Sequence, residues 1–179
     1  MDDGCASSME EFLSTPLSMD AVSKLIDGVA GGLPAMFADD SPVARDCLRR
    51  VFGPELGMDV LETDSVAELL PVALQNDSQP VREMLLALLS GIAVAQPVRL
   101  RVMFVRSGSL SLVTRALSDE SVTVSEEAQR LIVLLSRGDE PEAAEFLASI
   151  LSDGGLDNLI ETASGLLRIR LAALLIKLG

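Results

Sequence analysis

One segment recurs four times along the 179-residue chain, and this recurrence restricts the fold more than any other feature. Each copy opens after Gly or Ser with a short apolar stretch, crosses an Asp-bearing or polar turn, and enters a second apolar stretch. In the first copy, Leu33 to Phe37 follows Gly31-Gly32 and leads through Asp39-Asp40-Ser41-Pro42 to Val43, Cys47 and Val51. The second runs from Ser65-Val66 to Leu70, through Asn76-Asp77-Ser78, to Val81, Leu85 and Leu89. The third takes Ser107-Gly108-Ser109-Leu110 through Asp119-Glu120-Ser121 to Val124, Ala128 and Ile132, and the fourth takes Gly154-Gly155-Leu156 to Leu167, Leu171 and Leu175. The anchors Val43, Val81, Val124 and Leu167 are 38, 43 and 43 residues apart. Within each copy the apolar residues follow the anchor at four and eight positions, which is one face of an α-helix. A repeat of this length that is helical at both ends predicts stacked helical units, none of which buries its apolar face alone.

The stretches between copies predict a further helix each: Met19 to Val29, Leu56 to Leu61, Val98 to Val105 and Ala143 to Leu151. Three helices per unit is then the expected arrangement, with approximate repeats at 17–53, 54–96, 97–138 and 139–179. Residues 16–179 are expected to form one domain, since no linker-like stretch interrupts them. Residues 1–15 are expected to be a mobile acidic tail, because Ser7-Ser8-Met9-Glu10-Glu11 starts a helix weakly. Pro42 and Pro80 are acceptable in the first turn of a helix, where a missing N–H costs little. Asp40, Asp77 and Asp119 are placed to cap the helices that follow.

The runs Phe104-Val105-Arg106-Ser107-Gly108-Ser109-Leu110-Ser111-Leu112-Val113 and Val81-Arg82-Glu83-Met84-Leu85-Leu86-Ala87-Leu88-Leu89 resemble the armadillo consensus. The resemblance covers about residues 17–179. It implies an all-α fold, a right-handed α-α superhelix of about four repeats, in which a Gly marks the break before the second helix and a Val opens the long third helix. It also implies a protein-binding role, while leaving the process open. In the importin-type members, Trp and Asn recur on the third helix and hold an extended basic peptide. Here the corresponding positions carry Arg49, Ala87, Arg130 and Ala173 for Trp, and Gly53, Gly91, Leu134 and Lys177 for Asn, so that ladder is missing and nuclear import is disfavoured.

Composition excludes much else. The chain has no His, which removes the commonest general base, the imidazole metal ligands and any Ser–His or Cys–His nucleophile pair. Its two cysteines, Cys5 and Cys47, make no zinc site or disulfide framework, and Cys47 falls in an apolar helical pattern as a small core residue. Gly28, Gly31 and Gly32 lack the Gly-Lys-Ser/Thr that a phosphate loop needs. Carboxylate pairs such as Asp39-Asp40 and Glu126-Glu127 sit at turns and helix starts, where the macrodipole favours them. No enzyme activity, cofactor or metal is therefore expected. A net charge of −13 opposes nucleic acid. The longest apolar stretch, from Met84 to Gln96-Pro97, is too short for the roughly 18–20 residues of a membrane span. With an acidic amino terminus and no basic n-region, the chain is expected to be cytoplasmic.

Against this acidic background, residues 79–118 carry Arg82, Arg99, Arg101, Arg106 and Arg115 against Glu83 alone, a net of +4. Arginine pairs bidentately with carboxylates, so these residues, with Arg130, are the candidate contacts for an acidic or helical docking segment of a protein partner. The competing expectation is that they answer acidic side chains of adjacent repeats. Two roles fit: a non-catalytic scaffold or adaptor, or a chaperone cofactor such as a nucleotide-exchange factor of heat-shock ATPases or an assembly chaperone for proteasome or myosin. The run Leu166 to Leu178 is apolar nearly all round, which predicts cover by a partner, self-association, or further repeats at that edge.

Overall fold

The computed structural model describes residues 3–39, 41–63, 66, 69–138, 141–152, 168, 169 and 172. Among these residues the secondary structure is entirely helical. Among the described residues eleven helices are α1 Asp3–Ser14, α2 Met19–Gly28, α3 Gly32–Ala38, α4 Pro42–Val51, α5 Gly57–Leu61, α6 Leu69–Leu74, α7 Gln79–Ala95, α8 Pro97–Ser107, α9 Leu110–Ala116, α10 Val122–Leu135 and α11 Pro141–Ser152. In chain order α8, α9 and α10 have 11, 7 and 14 residues and so run medium, short, long, as a three-helix repeat unit does. The fourth anchor, Leu167, the edge run from Leu166 to Leu178 as a surface, and the cap expected at Asp40 lie outside the described residues.

Local chemistry explains where these helices begin and end. Gly31 and Gly32 adopt φ of 85° and 58° between α2 and α3, and Gly108 adopts 68° between α8 and α9. Such left-handed backbone is strained for residues with a Cβ, so glycine marks the break before the second helix. The third helices share a different device. Asp39 Oδ1 accepts from the Ser41 N–H at 2.8 Å, Asn76 Oδ1 from Ser78 at 2.8 Å, and Asp119 Oδ1 from Ser121 at 2.9 Å. In each case the serine is the extended N-cap of the helix. The recurring triplet is thus an Asx turn that delivers Ser to the cap position. This corrects the caps expected at Asp77 and Asp119. Asn76, not Asp77, makes the turn, and Asp119 accepts from the cap residue itself and not from the first helical turn. Where a side-chain cap forms, Ser supplies it: Ser41 accepts from Ala44 N–H at 3.1 Å.

By its internal packing the chain divides into two compact units, Met1–Leu69 and Leu70–Gly179. Repeat arrays make contacts mostly between neighbours, so they divide wherever local contacts thin out. In the first unit α1 packs on α2 and α4, and α3 packs on α2 and α4. Val22, Leu25, Leu33, Met36, Phe37, Cys47 and Leu48 are buried, and the Phe37 and Phe52 rings lie 5.9 Å apart. The second unit centres on α7 against α10, its most extensive helix pair. Val81, Leu85 and Leu89 of α7 and Val124, Ala128 and Ile132 of α10 are all buried, as the anchor pattern requires. In addition, α8 packs on α7, α10 and α11.

Residues 3–14 are helical, not the mobile acidic tail expected for 1–15. Met9 and Phe12 explain the difference: they are three apart on one face and only 2% and 4% exposed. Tertiary burial overrides a weak local propensity.

Three arginines act as staples between helices. Arg50 of α4 donates to the carbonyls of Phe12 and Leu13 at 2.6 Å each, and to that of Thr15, all at the end of α1. Arg82 of α7 donates to the carbonyls of Asn76 at 2.6 Å and Asp77 at 3.1 Å, just beyond α6, and grips Asp119 through Nε (2.8 Å) and Nη2 (3.0 Å). Arg101 of α8 is 1% exposed and donates from Nε to the Leu135 carbonyl at 2.6 Å, and from Nη2 to that of Arg137, at the end of α10. The last carbonyls of a helix have no partners within it and carry its negative pole, so a guanidinium satisfies them in both respects.

Two outcomes follow from this arrangement. Replacing Arg101 by Met is expected to cost about 2–4 kcal/mol in urea unfolding, since buried carbonyls lose charged donors. Replacing exposed Arg106 by Met should stay within about 0.5 kcal/mol. Equal costs would contradict the staple. The second concerns pH. The hydrogen bonds from Arg82 hold the Asp119 carboxyl below its ordinary value of 3.8 despite partial burial. Its contribution is therefore complete above that value and is lost as pH falls through the lower folded one. Asn keeps an oxygen for Ser121, so Asp119→Asn isolates the ion pair. The stability gap between wild type and the variant should be constant from neutral pH to about 5 and narrow below 4. A gap unchanged to pH 2 would refute the assignment.

Candidate functional site

The six candidate arginines all belong to the second unit, and the fold separates them into two kinds. Arg101 and Arg82 are committed internally. Arg101 belongs to the buried face of α8 with Leu100 and Phe104 and is not available to a partner in this structure. This corrects its assignment as a docking residue. Arg82 retains 17% of its side-chain exposure, and its pair with Asp119 raises its already high pKa through hydrogen bonding. For these two the expectation that arginines answer groups of adjacent helices describes the geometry.

Arg99, Arg106, Arg115 and Arg130 are exposed. Arg99 Nη1 donates to Gln96 Oε1 at 3.0 Å at the start of α8. Arg130 lies 3.4 Å from Glu127 Oε1, one turn back on α10, a pair of the exposed kind that contributes little. Arg99 and Arg106 are seven residues apart on α8, hence on one side of it and about 10 Å apart along its axis. Between them Val102 and Met103 are partly exposed, and Val98 is 39% exposed. The helix sequence Pro97–Ser107 contains three arginines and no acidic residue. With Arg101 turned inward, the outer side of α8 is a basic and apolar stripe.

Two clefts lie in the same unit. One of about 330 Å³ lies between α8, α9 and α11, lined by Phe104, Val105, Gly108, Leu110, Glu145, Ala148 and Ser149. It offers an apolar recess with one carboxylate at its edge. The other, of about 400 Å³, brings Arg82 and Arg115 together beside Leu74, Leu112 and Ala116. Asp77, Asp119 and Glu120 also line it, so this second cleft is not a basic site, and Arg82 there is already engaged.

Among the described residues no group of three or more His, Cys, Asp or Glu side chains is placed to hold a metal ion. No helix among them is long and apolar enough to cross a membrane. Burial pushes the Cys47 thiol up to about 11, so it is protonated near neutral pH. Cys47 is a fully buried core residue, as its helical pattern predicts.

Sequence comparison identifies no matching family model and no matching curated protein. Solved structures do match. An engineered protein aligns with a TM-score of 0.60 at 18% identity, over 96% of this chain and 79% of its own. A second engineered protein aligns with a TM-score of 0.58 at 16% identity, over 94% of this chain and 76% of its own. A designed armadillo repeat protein aligns with a TM-score of 0.58 at 18% identity, over 95% of this chain and 80% of its own. At these identities the likeness is one of fold. Together with the helix order, it establishes an all-α, armadillo-like helical-repeat architecture.

Proposed function

We propose that this chain is a non-catalytic protein-binding scaffold or adaptor, and that the outer side of α8 docks an acidic segment of its partner. The observation that carries the reading is the composition of that surface. In a chain of net charge −13, α8 presents Arg99 and Arg106 outward with Val98, Val102 and Met103 and contributes no carboxylate of its own. Arginine suits this use because its planar fork pairs with carboxylates in two-point geometry, and partly exposed apolar side chains add area that charge alone does not supply. The neighbouring recess at Phe104, Val105 and Leu110 has room for an apolar anchor residue, of the kind that dominates binding energy at protein interfaces. A helical-repeat fold supports a binding role in general and does not select the partner.

The test is capture of partners by wild type and by the double variant Arg99→Glu, Arg106→Glu, with Arg115→Glu as a surface control. Reversal of the α8 charges should abolish capture and the control should retain it. Binding should also weaken steeply as salt rises from about 0.05 to 0.5 M, since exposed charges are screened over a few Å at the higher value. Retention by the double variant would remove α8 as the docking surface. Capture of a heat-shock ATPase that ATP releases would instead support a chaperone cofactor.

A further inference from the structure

The residues on the outer side of α8 follow a second pattern besides their charge. Val98, Val102 and Val105 are spaced by four and three residues, and Arg99 and Arg106 each come directly after the first and last of them. This is the heptad spacing of a coiled-coil seam, with the valines at its d, a and d positions and both arginines at e. At about 100° per residue the three valines share an arc of about 60°, and the two arginines form a rim about 40° beyond it. Leu100, Arg101 and Phe104 occupy the opposite arc and are buried. Val98 is 39% exposed, and Val102 and Val105 are partly exposed. One side of α8 therefore faces the core, and the other carries a narrower apolar seam with a basic rim.

The seam continues past the end of the helix. Val105 also lines the recess of about 330 Å³, whose floor is formed by the buried side chains of Phe104 and Leu110. Gly108 breaks the helix with φ of 68°, and a Cβ added there would meet nothing within 4 Å, so the space beyond Val105 is open. That floor accepts an apolar side chain, and Glu145 at the edge opposes a carboxylate in the same place. The backbone of α8 is paired within its own helix, so an extended ligand laid on it finds no ladder to join. A helical ligand satisfies its backbone internally and presents side chains alone.

We propose that the segment docked on α8 is an acidic amphipathic helix, packed along α8 as in a two-stranded coiled coil. Its apolar residues lie against Val98, Val102 and Val105, and its glutamates face Arg99 and Arg106. This rests on the docking reading above and adds the form of the ligand to it. The two arginines, about 10 Å apart along the axis, match carboxylates seven residues apart on the incoming helix. The apolar residue that follows the seam past Val105 enters the recess at Gly108. Met103 lies beyond the arginine rim and is outside this contact.

The probe is a synthetic peptide of about three heptads with Leu at a and d and Glu at e and g, whose self-repulsion keeps it monomeric when free. Its control has the same composition in an order without heptad periodicity. Binding of each labelled peptide to the full chain is followed by fluorescence anisotropy, and helix gain by circular dichroism. The heptad peptide should bind roughly tenfold tighter than the control or better, and gain helix as it binds. The double variant Arg99→Glu, Arg106→Glu should abolish this binding, and a peptide with Lys at e and g should bind that variant instead. Val98→Gln should weaken binding about tenfold, while Met103→Gln leaves it within about twofold. Equal binding of the two peptides, with the arginine dependence retained, would overturn the helical form and leave docking of an acidic segment standing. Equal effects of Val98→Gln and Met103→Gln would overturn the seam in the same way. Heptad-peptide binding that ignores both the arginine reversal and Val98→Gln would remove α8 as the surface, and both readings with it. No binding of the heptad peptide would overturn the helical ligand, while partner capture still judges the docking reading.

Discussion

A helix leaves its last carbonyls without partners, and a protein made of many short helices must solve that problem many times. In this chain arginine provides the solution at three places. Arg50, Arg82 and Arg101 each reach from one helix to the carbonyls that end another or follow it. Each guanidinium offers several donors in a rigid fork and a charge that opposes the helix pole, which lysine cannot match in geometry. Only two lysines occur among the 14 basic residues, in keeping with that demand. The apolar faces supply the driving force for packing, but they are nearly non-directional. The arginine staples fix which helix end meets which neighbour.

That structural use of arginine also determines what is left for binding. A count of charges along residues 79–118 makes a single basic cluster of five arginines. In three dimensions two of them are engaged inside the fold, one lines a cleft rich in carboxylates, and two lie on the exposed side of α8. A net charge over a segment is therefore a poor guide to a surface. The positions of Arg99 and Arg106 carry the proposed docking role because Arg101 does not share it.

Much of the fold was legible in the sequence. Anchors at Val43, Val81 and Val124 fall in the first turns of α4, α7 and α10, and their companions four and eight residues on are buried. Glycines at 31, 32 and 108 mark the breaks where they were expected, because positive φ is a strict local requirement. The failures have physical causes as well. The α1 helix was missed because its order comes from Met9, Phe12 and a distant Arg50, none of which shows in local propensity. The turn serines were overlooked in favour of neighbouring aspartates, since the Asx turn and the cap use adjacent residue types. Arg101 had a visible signal: it falls on the same helical arc as Pro97 and Phe104, the side that α8 turns to the core. A charged residue on an apolar arc reads as an error in pattern until its acceptor is known, and Leu135 and Arg137 are more than thirty residues away.

Arg82 and Arg101 are structural clamps, whereas Arg99 and Arg106 lie on the exposed side of α8, where docking is proposed. The most direct measurement is nitrogen-resolved hydrogen exchange of the arginine Nε–H groups by NMR. Arg82 and Arg101, whose Nε–H groups donate to Asp119 and Leu135, should exchange far more slowly than Arg106 and Arg115. If Arg101 exchanged as fast as Arg106, the guanidinium would be solvated, and the separation between structural and docking arginines would be wrong.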